Sequence, residues 1–199
     1  MKKIKIAVPA TVANLVCGFD VLGMALNDPY DTMELELIDE PVIYIKHTDD
    51  YGLPEAAEQN VAGVALQALI EDFGNNIGFN VTVHKNIKPG SGLGSSAAGS
   101  AGAVVAANHL LNEHFSKEDL VRFAMNGEKL ATGVKHADNV APCIYGGITL
   151  VRSVFPLDII SLAAPDLFVT VVHPQIEVKT ADARQILRKE VQLKDANKQ

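Results

Sequence analysis

The sequence is poor in basic residues, in cysteine and in long apolar runs. Its 17 lysines and arginines are outnumbered by 24 acidic residues, which gives a net charge of −7. An acidic surface repels phosphate backbones and anionic lipid headgroups, so neither a nucleic acid nor a membrane is expected as a partner. The two cysteines, Cys17 and Cys143, form neither a CxxC pair nor a Cys/His ligand spacing. Two reduced thiols are therefore favoured over a redox or metal role.

No segment approaches the roughly 18 apolar residues of a membrane helix. The apolar stretch within MKKIKIAVPA, at the start, is too short for a signal peptide. We therefore expect a cytoplasmic protein. Its 199 residues, 48% of them hydrophobic, suffice for one full core, or for one domain and part of a second.

Alternation of polar and apolar residues predicts strands over 3–8, 32–38 and 79–85. Two runs rich in strand-forming residues, 42–46 and 167–173, are predicted as strands as well. The first strand is expected to end at Pro9, and the strands 3–8, 32–38 and 42–46 are expected to pair antiparallel. A further strand, ITLVR, is expected after Gly146 and Gly147.

Helical periodicity predicts helices over 60–74 and 116–130, with Asn60 and Ser116 as N-caps. A helix rich in alanine and glycine is predicted over 95–112, and another from Thr180. That last helix turns highly polar and stops without a closing element, as a frayed tail or a truncated chain would. The mixed order of strands and helices indicates an α+β fold.

The most informative segment lies between the strand 79–85 and the helix 95–112. It consists of Pro89, Gly90, Ser91, Gly92, Leu93, Gly94, Ser95 and Ser96. Alternating glycines can adopt positive φ and let the backbone approach a ligand closely. The N-terminus of the following helix offers unpaired N–H groups and the positive end of its dipole, which together bind anions. Ser95 and Ser96 can cap that helix, or place a hydroxyl on phosphate or Mg²⁺.

This loop is neither of two better-known nucleotide motifs. A Walker A loop requires a lysine at the helix start, and a dinucleotide fingerprint requires GxGxxG, whereas this run reads GxGxG. A plain glycine turn with a serine cap is the structural alternative. The strand before the loop and the small-residue helix after it favour binding of a triphosphate.

The string PGSGLGSSAA resembles the ATP-binding motif of the GHMP kinases, which include galactokinases, homoserine kinases and mevalonate kinases. Residues 9–23 (PATVANLVCGFDVLG) and 136–147 (HADNVAPCIYGG) narrow the resemblance to homoserine kinases. The resemblance spans most of residues 1–190, with the three motifs in the family's order. It implies ATP and Mg²⁺ as cosubstrate and metal, L-homoserine as the substrate, and a homodimer as an expected assembly.

The resemblance also implies a domain organisation. An α+β domain like ribosomal protein S5 domain 2 is expected at 1–155, followed at 156–199 by only the beginning of the family's ferredoxin-like domain. The family's third glycine-rich motif and a further substrate arginine lie near its carboxy end. Neither has a match in this sequence.

Roles for individual residues follow from the same resemblance. Ser96 and Glu128 match the metal ligands, and both carry the hard oxygen atoms that Mg²⁺ prefers; a solvated helix carboxylate is the alternative for Glu128. Asn60 is expected to face the adenine, in addition to its role as a helix cap. The remaining loop residues, 89–95, are expected on the phosphates.

The substrate site is implied in the same way. The residues that match the family's amino-acid site are Asn14, Asp20, His136 and Asp138, with Arg184 for the carboxylate. Thr180 lies four residues before Arg184 and shares its helix face. The structural alternatives are a turn role for Asp20, a surface ion pair for Arg184 and a core or surface position for His136.

Asn139 stands where mevalonate and galactose kinases place an aspartate proposed as the catalytic base. An amide cannot accept a proton at neutral pH, so it can only orient the hydroxyl by hydrogen bonding. We infer direct in-line attack by the substrate hydroxyl, whose proton passes late to phosphate or water, with no side-chain base.

Three alternatives stay open at this stage. Another GHMP kinase could act on a shikimate- or mevalonate-like acid, but such a substrate would have no use for Asp20 and Asp138 together. A nucleotide-binding or scaffold protein without catalysis is the second. RNA binding, which occurs among S5-like folds, is disfavoured by the acidic balance.

Overall fold

A computed structural model describes residues 2–172 and residue 190 of the chain. Six strands form one mixed sheet: β1 (Lys3–Ala13), β2 (Leu22–Ile38), β3 (Ile43–His47), β4 (Gly78–His84), β5 (Ile148–Val154) and β6 (Leu157–Leu162). Four α-helices accompany them: α1 (Val61–Phe73), α2 (Ser95–Leu110), α3 (Lys117–Thr132) and α4 (Val140–Tyr145). The α+β prediction is confirmed.

The long strand β2 is the centre of the sheet. Its second half pairs antiparallel with β4, its first three residues pair with β5, and β1 pairs along its other edge. Helix α2 packs on β1 and β2, and α1 and α3 pack on α2. The core lies between sheet and helices, where Leu35, Phe79, Leu66, Leu69 and Val104 are fully buried.

Strand β1 does not end at Pro9 as expected. It continues to Ala13, and its register against β2 shifts between Pro9 and Thr11. A bulge is one of the few places where a strand tolerates a residue without an N–H, which explains why the proline does not terminate it. The extension carries Thr11 and Ala13 under the glycine loop, since the Thr11 N–H donates to the Leu93 carbonyl at 3.1 Å.

Strand β3 also differs from expectation. It pairs in parallel with β4, not antiparallel with the first two strands. Because α1 lies between β3 and β4 in the chain, it carries the backbone back across the sheet and returns it in the same direction.

The predicted N-caps of α1 and α3 are confirmed. The Asn60 side chain accepts from the Ala62 N–H, and α1 ends at Gly74. Ser116 forms a capping box with Asp119 at the start of α3. None of the helices that the structure describes has the length and apolar character needed to cross a bilayer.

Helix α2 is rich in glycine and alanine, and its neighbours approach its backbone closely. A Cβ on Gly102 would lie 2.5 Å from a Val8 methyl, and one on Gly99 would lie 2.9 Å from a Val61 methyl. From α3, Gly127 faces α2, where a Cβ would lie 2.2 Å from the Ser100 hydroxyl. These contacts compensate for glycine inside a helix, which costs about 0.5–1 kcal/mol relative to alanine.

The end of the described chain departs most from prediction. Residues 167–172 form no strand, and Phe168 is fully exposed. A segment rich in strand-forming residues becomes a strand only where a neighbour completes its hydrogen bonds, and no described strand pairs with this one. Residue 173 and the helix predicted from Thr180 lie outside the described residues. Strand β6, which was not predicted, pairs with β5 across the predicted domain division at 155/156; that division stays a prediction.

Candidate active site

A cavity of about 1070 Å³ opens beside the glycine loop and the N-terminus of α2. Most of the predicted site residues line it: Asn14, Asp20, Asn60, Pro89, Gly90, Gly92, Gly94, Ser95, Ser96, Glu128, His136, Asp138 and Asn139. Of the loop residues, Ser91 and Leu93 lie outside this lining. Thr180 and Arg184 lie outside the described residues. The structure therefore brings residues predicted for the nucleotide and residues predicted for the alcohol substrate into one cavity. They are called the nucleotide end and the alcohol end of the cavity below.

The glycine loop has the backbone that its sequence requires. Gly90, Gly92 and Gly94 have φ of 75°, 76° and 66°, in the left-handed region that glycine adopts without strain. Apart from each glycine and its two chain neighbours, no atom of the described residues lies within 4 Å of where a Cβ would stand on Gly90 or Gly92. The loop is open on that side, as an approaching ligand requires.

The serines after the loop behave differently from expectation. Gly94, not a serine, occupies the N-cap position of α2, and no side chain caps the helix. The Ser95 hydroxyl donates to the Ile87 carbonyl at 2.9 Å and so fixes the loop. The first backbone bond of the helix runs from the Ala98 N–H to the Gly94 carbonyl, which leaves the amides of 95–97 without a partner inside the helix. The helix start thus keeps its anion-binding character.

Glu128 is buried beside Ser96. The residue is 5% exposed, and its Oε1 has no hydrogen-bond partner among the described residues. Burial raises the pKa of Glu128 to about 7; a hydrogen bond from Ser96 opposes this shift and the charge of Asp138 adds to it. The solvated-carboxylate alternative is thereby excluded by burial.

No group of three or more His, Cys, Asp or Glu side chains in the described part of the chain is placed to hold a metal ion. The pair Ser96 and Glu128 nevertheless suits Mg²⁺. A buried carboxylate oxygen without a partner and an adjacent hydroxyl are hard ligands, and Mg²⁺ usually takes only one or two protein ligands, completing its shell with phosphate oxygens and water.

An acidic cluster formed by Asp20 and Asp138 also lines the cavity. Asp138 is 4% exposed. Burial raises its pKa, the neighbouring His136 lowers it, and the carboxylate of Asp20 raises it. His136 Nδ1 stands 3.8 Å from Asp20 Oδ1. The Asp20 N–H donates to Asn14 Oδ1 at 2.8 Å, so the four residues predicted for the amino-acid site form one connected group.

Asn139 lies at the start of α4, between the loop and this cluster. Its side chain makes no helix-cap hydrogen bond. Instead the Thr11 hydroxyl donates to Asn139 Oδ1 at 2.8 Å. Thr11 is fully buried, and sequence reasoning assigned it no role.

Asn60 is held by its own surroundings. Its Nδ2 donates to the Pro54 carbonyl at 2.6 Å and lies 3.0 Å from His47 Nε2, while Oδ1 accepts from Ala62. Both N–H donors of the amide are thus engaged. The adenine contact expected of Asn60 stays a prediction, and the structure adds His47 to the same end of the cavity.

The loop also rests on a buried ion pair that the sequence did not reveal. The Lys85 ammonium pairs with Asp31 and donates to the Ser95 carbonyl at 2.7 Å. Asp31 Oδ1 accepts from the amides of Asn86 and Ile87 at 2.8 and 2.9 Å. This network joins β2, the segment after β4 and the first residue of α2. Two lysines, Lys85 and Lys88, precede the loop in the sequence, and nothing local distinguishes the one that is buried.

Several known proteins are similar to this chain in sequence and in fold. Residues 60–147 match the family model described as GHMP kinases N terminal domain. The homoserine kinase of Methanococcus maripaludis is 44% identical over 98% of this chain and 65% of its own length. The homoserine kinase of Chlorobium phaeobacteroides is 41% identical, over 100% of this chain and 66% of its own length. The chain thus spans about two thirds of the length of these curated relatives.

Solved structures agree. A crystal structure of homoserine kinase from Cytophaga hutchinsonii is 44% identical, with a TM-score of 0.87 over 99% of this chain and 64% of its own. The Methanococcus jannaschii mevalonate kinase, 17% identical, superposes with a TM-score of 0.62 over 82% of this chain and 56% of its own, and so shares the fold. On the loop, the fold and these relatives together, the chain belongs to the GHMP kinases and is homologous to homoserine kinases over nearly its whole length.

Proposed function

We propose that this chain carries the nucleotide site and most of the alcohol site of an ATP-dependent kinase that phosphorylates L-homoserine to O-phospho-L-homoserine, a step of threonine biosynthesis in the cytoplasm. The observation that carries the proposal is one cavity lined both by an anion-binding loop and helix start and by a cluster of acidic residues. The predicted division into 1–155 and 156–199, and a homodimer, belong to the same proposal.

The nucleotide end is built from backbone. The amides before Ala98 and the open face of Gly90 and Gly92 receive the phosphates, while Lys85, paired with Asp31, holds the Ser95 carbonyl at the start of the helix. Ser96 and Glu128 would hold Mg²⁺, which when bound neutralises charge on the phosphates. The adenine is expected near Asn60 and His47.

The alcohol end selects an ammonium group. Asp20 and Asp138 lie together with His136, and the raised pKa of Asp138 marks a buried carboxylate that a bound cation would stabilise in its charged form. Asn14 fixes the Asp20 backbone. Thr180 and Arg184 are proposed for the substrate carboxylate, for which arginine offers two parallel N–H donors.

The chemistry needs little beyond positioning. The substrate hydroxyl attacks the γ-phosphorus in line, the bond to the bridging oxygen breaks, and ADP leaves. The hydroxyl proton passes to a phosphate oxygen or to water, since Asn139 cannot accept it. Holding both reactants in one cavity is the main contribution of the protein to the rate.

A coupled assay with Mg-ATP tests the proposal. Homoserine should support ADP release, whereas shikimate and mevalonate, which lack an amino group, should not. Asp138→Asn should raise the KM for homoserine about tenfold or more, because a charged partner of the ammonium is lost; the exposed Asp72→Asn is the matched control. Release with shikimate or mevalonate instead would contradict the choice of substrate.

The assay also tests the absence of a base. At saturating Mg-ATP, where bound Mg²⁺ would keep Glu128 ionised, the pH dependence of kcat should show no single group near neutrality whose effect disappears when one carboxylate is replaced. If no alcohol supports turnover, calorimetry with a non-hydrolysable ATP analogue decides the remaining alternative. Binding without turnover would assign this chain to nucleotide binding alone.

A further inference from the structure

Thr11 connects the glycine loop to Asn139. It lies in β1 just after the bulge, fully buried. Its N–H donates to the Leu93 carbonyl at 3.1 Å, and its hydroxyl donates to Asn139 Oδ1 at 2.8 Å. One residue thus touches the backbone of the loop and the side chain that stands between the loop and the acidic cluster.

The loop leaves room for this contact at one point. A Cβ on Gly94 would lie 2.0 Å from the Thr11 hydroxyl oxygen and 3.1 Å from Asn139 Oδ1. Position 94 therefore needs a glycine for two reasons: its φ is positive, and a side chain there would collide with the Thr11–Asn139 hydrogen bond. A side chain at position 94 would displace the hydroxyl.

The Thr11–Asn139 hydrogen bond determines which group of the Asn139 amide is free to contact a ligand. The carbonyl oxygen of the amide is occupied by Thr11, and the side chain makes no cap hydrogen bond to α4. Cys143 also lies beside the Thr11 hydroxyl, and sulfur is the weaker acceptor. The Nδ2 group, which only donates, then points away from Thr11, and Asn139 lines the cavity.

We propose that Thr11 is a positioning residue that holds the Asn139 amide with its N–H donors towards the reacting oxygens. Asn139 would then donate to the attacking oxygen or to the transferred phosphoryl group, where negative charge develops, and would not accept the hydroxyl proton. The proposal rests on the proposed kinase function and names a residue for the same site.

Kinetics of four variants provide the first test. Thr11→Val keeps the shape and removes the hydroxyl; it should lower kcat about 10-fold to 100-fold, with the KM values for both substrates changed little. Thr11→Ser should restore kcat to near the original value. In Asn139→Ala, adding Thr11→Val should cause no further loss, because the group it positions is gone. An unchanged kcat in Thr11→Val, or multiplicative losses in the double variant, would overturn the proposal.

A spectroscopic readout separates this proposal from the kinase assignment. The side-chain amide signals of Asn139, identified by their loss in Asn139→Ala, should shift when Mg²⁺ and a non-hydrolysable ATP analogue are added. The shift should persist in Thr11→Ser and disappear in Thr11→Val, while calorimetry shows that the analogue still binds. An equal shift in Thr11→Val would refute the positioning role whether or not homoserine is a substrate, whereas failure of homoserine alone would refute only the substrate.

Discussion

At the residue scale, Glu128 is a buried carboxylate in the lining of the cavity, only 5% exposed. Burial raises its pKa to about 7 from the ordinary 4.5. The folded protein therefore binds a proton between these values that the unfolded chain has already lost. Stability falls as pH rises from about 4.5, and the loss is complete above about 7.

Replacing this carboxylate should remove that pH dependence. Measured by urea denaturation in the presence of a chelator, Glu128→Gln should gain stability relative to the unmodified protein between pH 5 and pH 8. The gain is on the order of 3 kcal/mol at most. The exposed Glu71→Gln is the control. A constant difference between the proteins across this pH range would show that Glu128 is ionised throughout.

Residue roles were predictable where they depend on local sequence. Three alternating glycines demanded positive φ, and the structure gives it to all three. Thr11 and Lys85 were not predictable, because their partners lie 128 and 54 residues away in the chain. A buried hydrogen bond between two strands or loops leaves no periodic trace in a sequence.

At the element scale, the Asp31–Lys85 pair ties β2 to the start of α2 and so holds the glycine loop in place. Both side chains are at most 3% exposed. Lys85→Met should lose about 3–5 kcal/mol of the free energy of unfolding, because it leaves a buried carboxylate without its cation. Arg152→Met, which breaks the exposed pair with Asp158, should lose far less. Chemical denaturation of both variants checks this, and equal losses would contradict it.

Helices and caps were easier to predict than strand pairing. Asn60 and Ser116 mark helix starts with side chains that bond locally. Whether β3 pairs with β2 or β4 depends on the path of α1 across the sheet, which no single segment records. The same reason applies to 167–172, whose strand-forming residues alone produce no strand without a neighbour.

At the scale of the whole molecule, ligand binding and stability are linked. A nucleotide analogue at about 100 times its Kd should add about 2.7 kcal/mol, which raises the melting temperature of a chain of this size by roughly 5–10 °C. Gly92→Ala should abolish the shift by placing a methyl group in the loop. Gly146→Ala has a similar φ, 78° against 76°, but lies outside the cavity and should retain the shift. Thermal scans with and without the analogue would show equal shifts in both variants if the loop were not the binding site.

The α+β class followed from the order of elements, and the family from three motifs. The sequence could not show that one cavity unites these motifs. That arrangement depends on the bulge in β1 and on the close approach of β2 to the chain at 138, where a Cβ on Gly23 would lie 1.7 Å from the Asp138 carbonyl oxygen.

β2 serves both ends of the cavity. Its second half pairs with β4, which leads into the glycine loop. Its first half contacts the backbone at Asp138. Transient local unfolding at one end must therefore loosen a strand that the other end also needs. We therefore expect the two ends to behave as a single cooperative unit, so that protection of backbone amides against hydrogen exchange should rise and fall together at the nucleotide end and at the alcohol end.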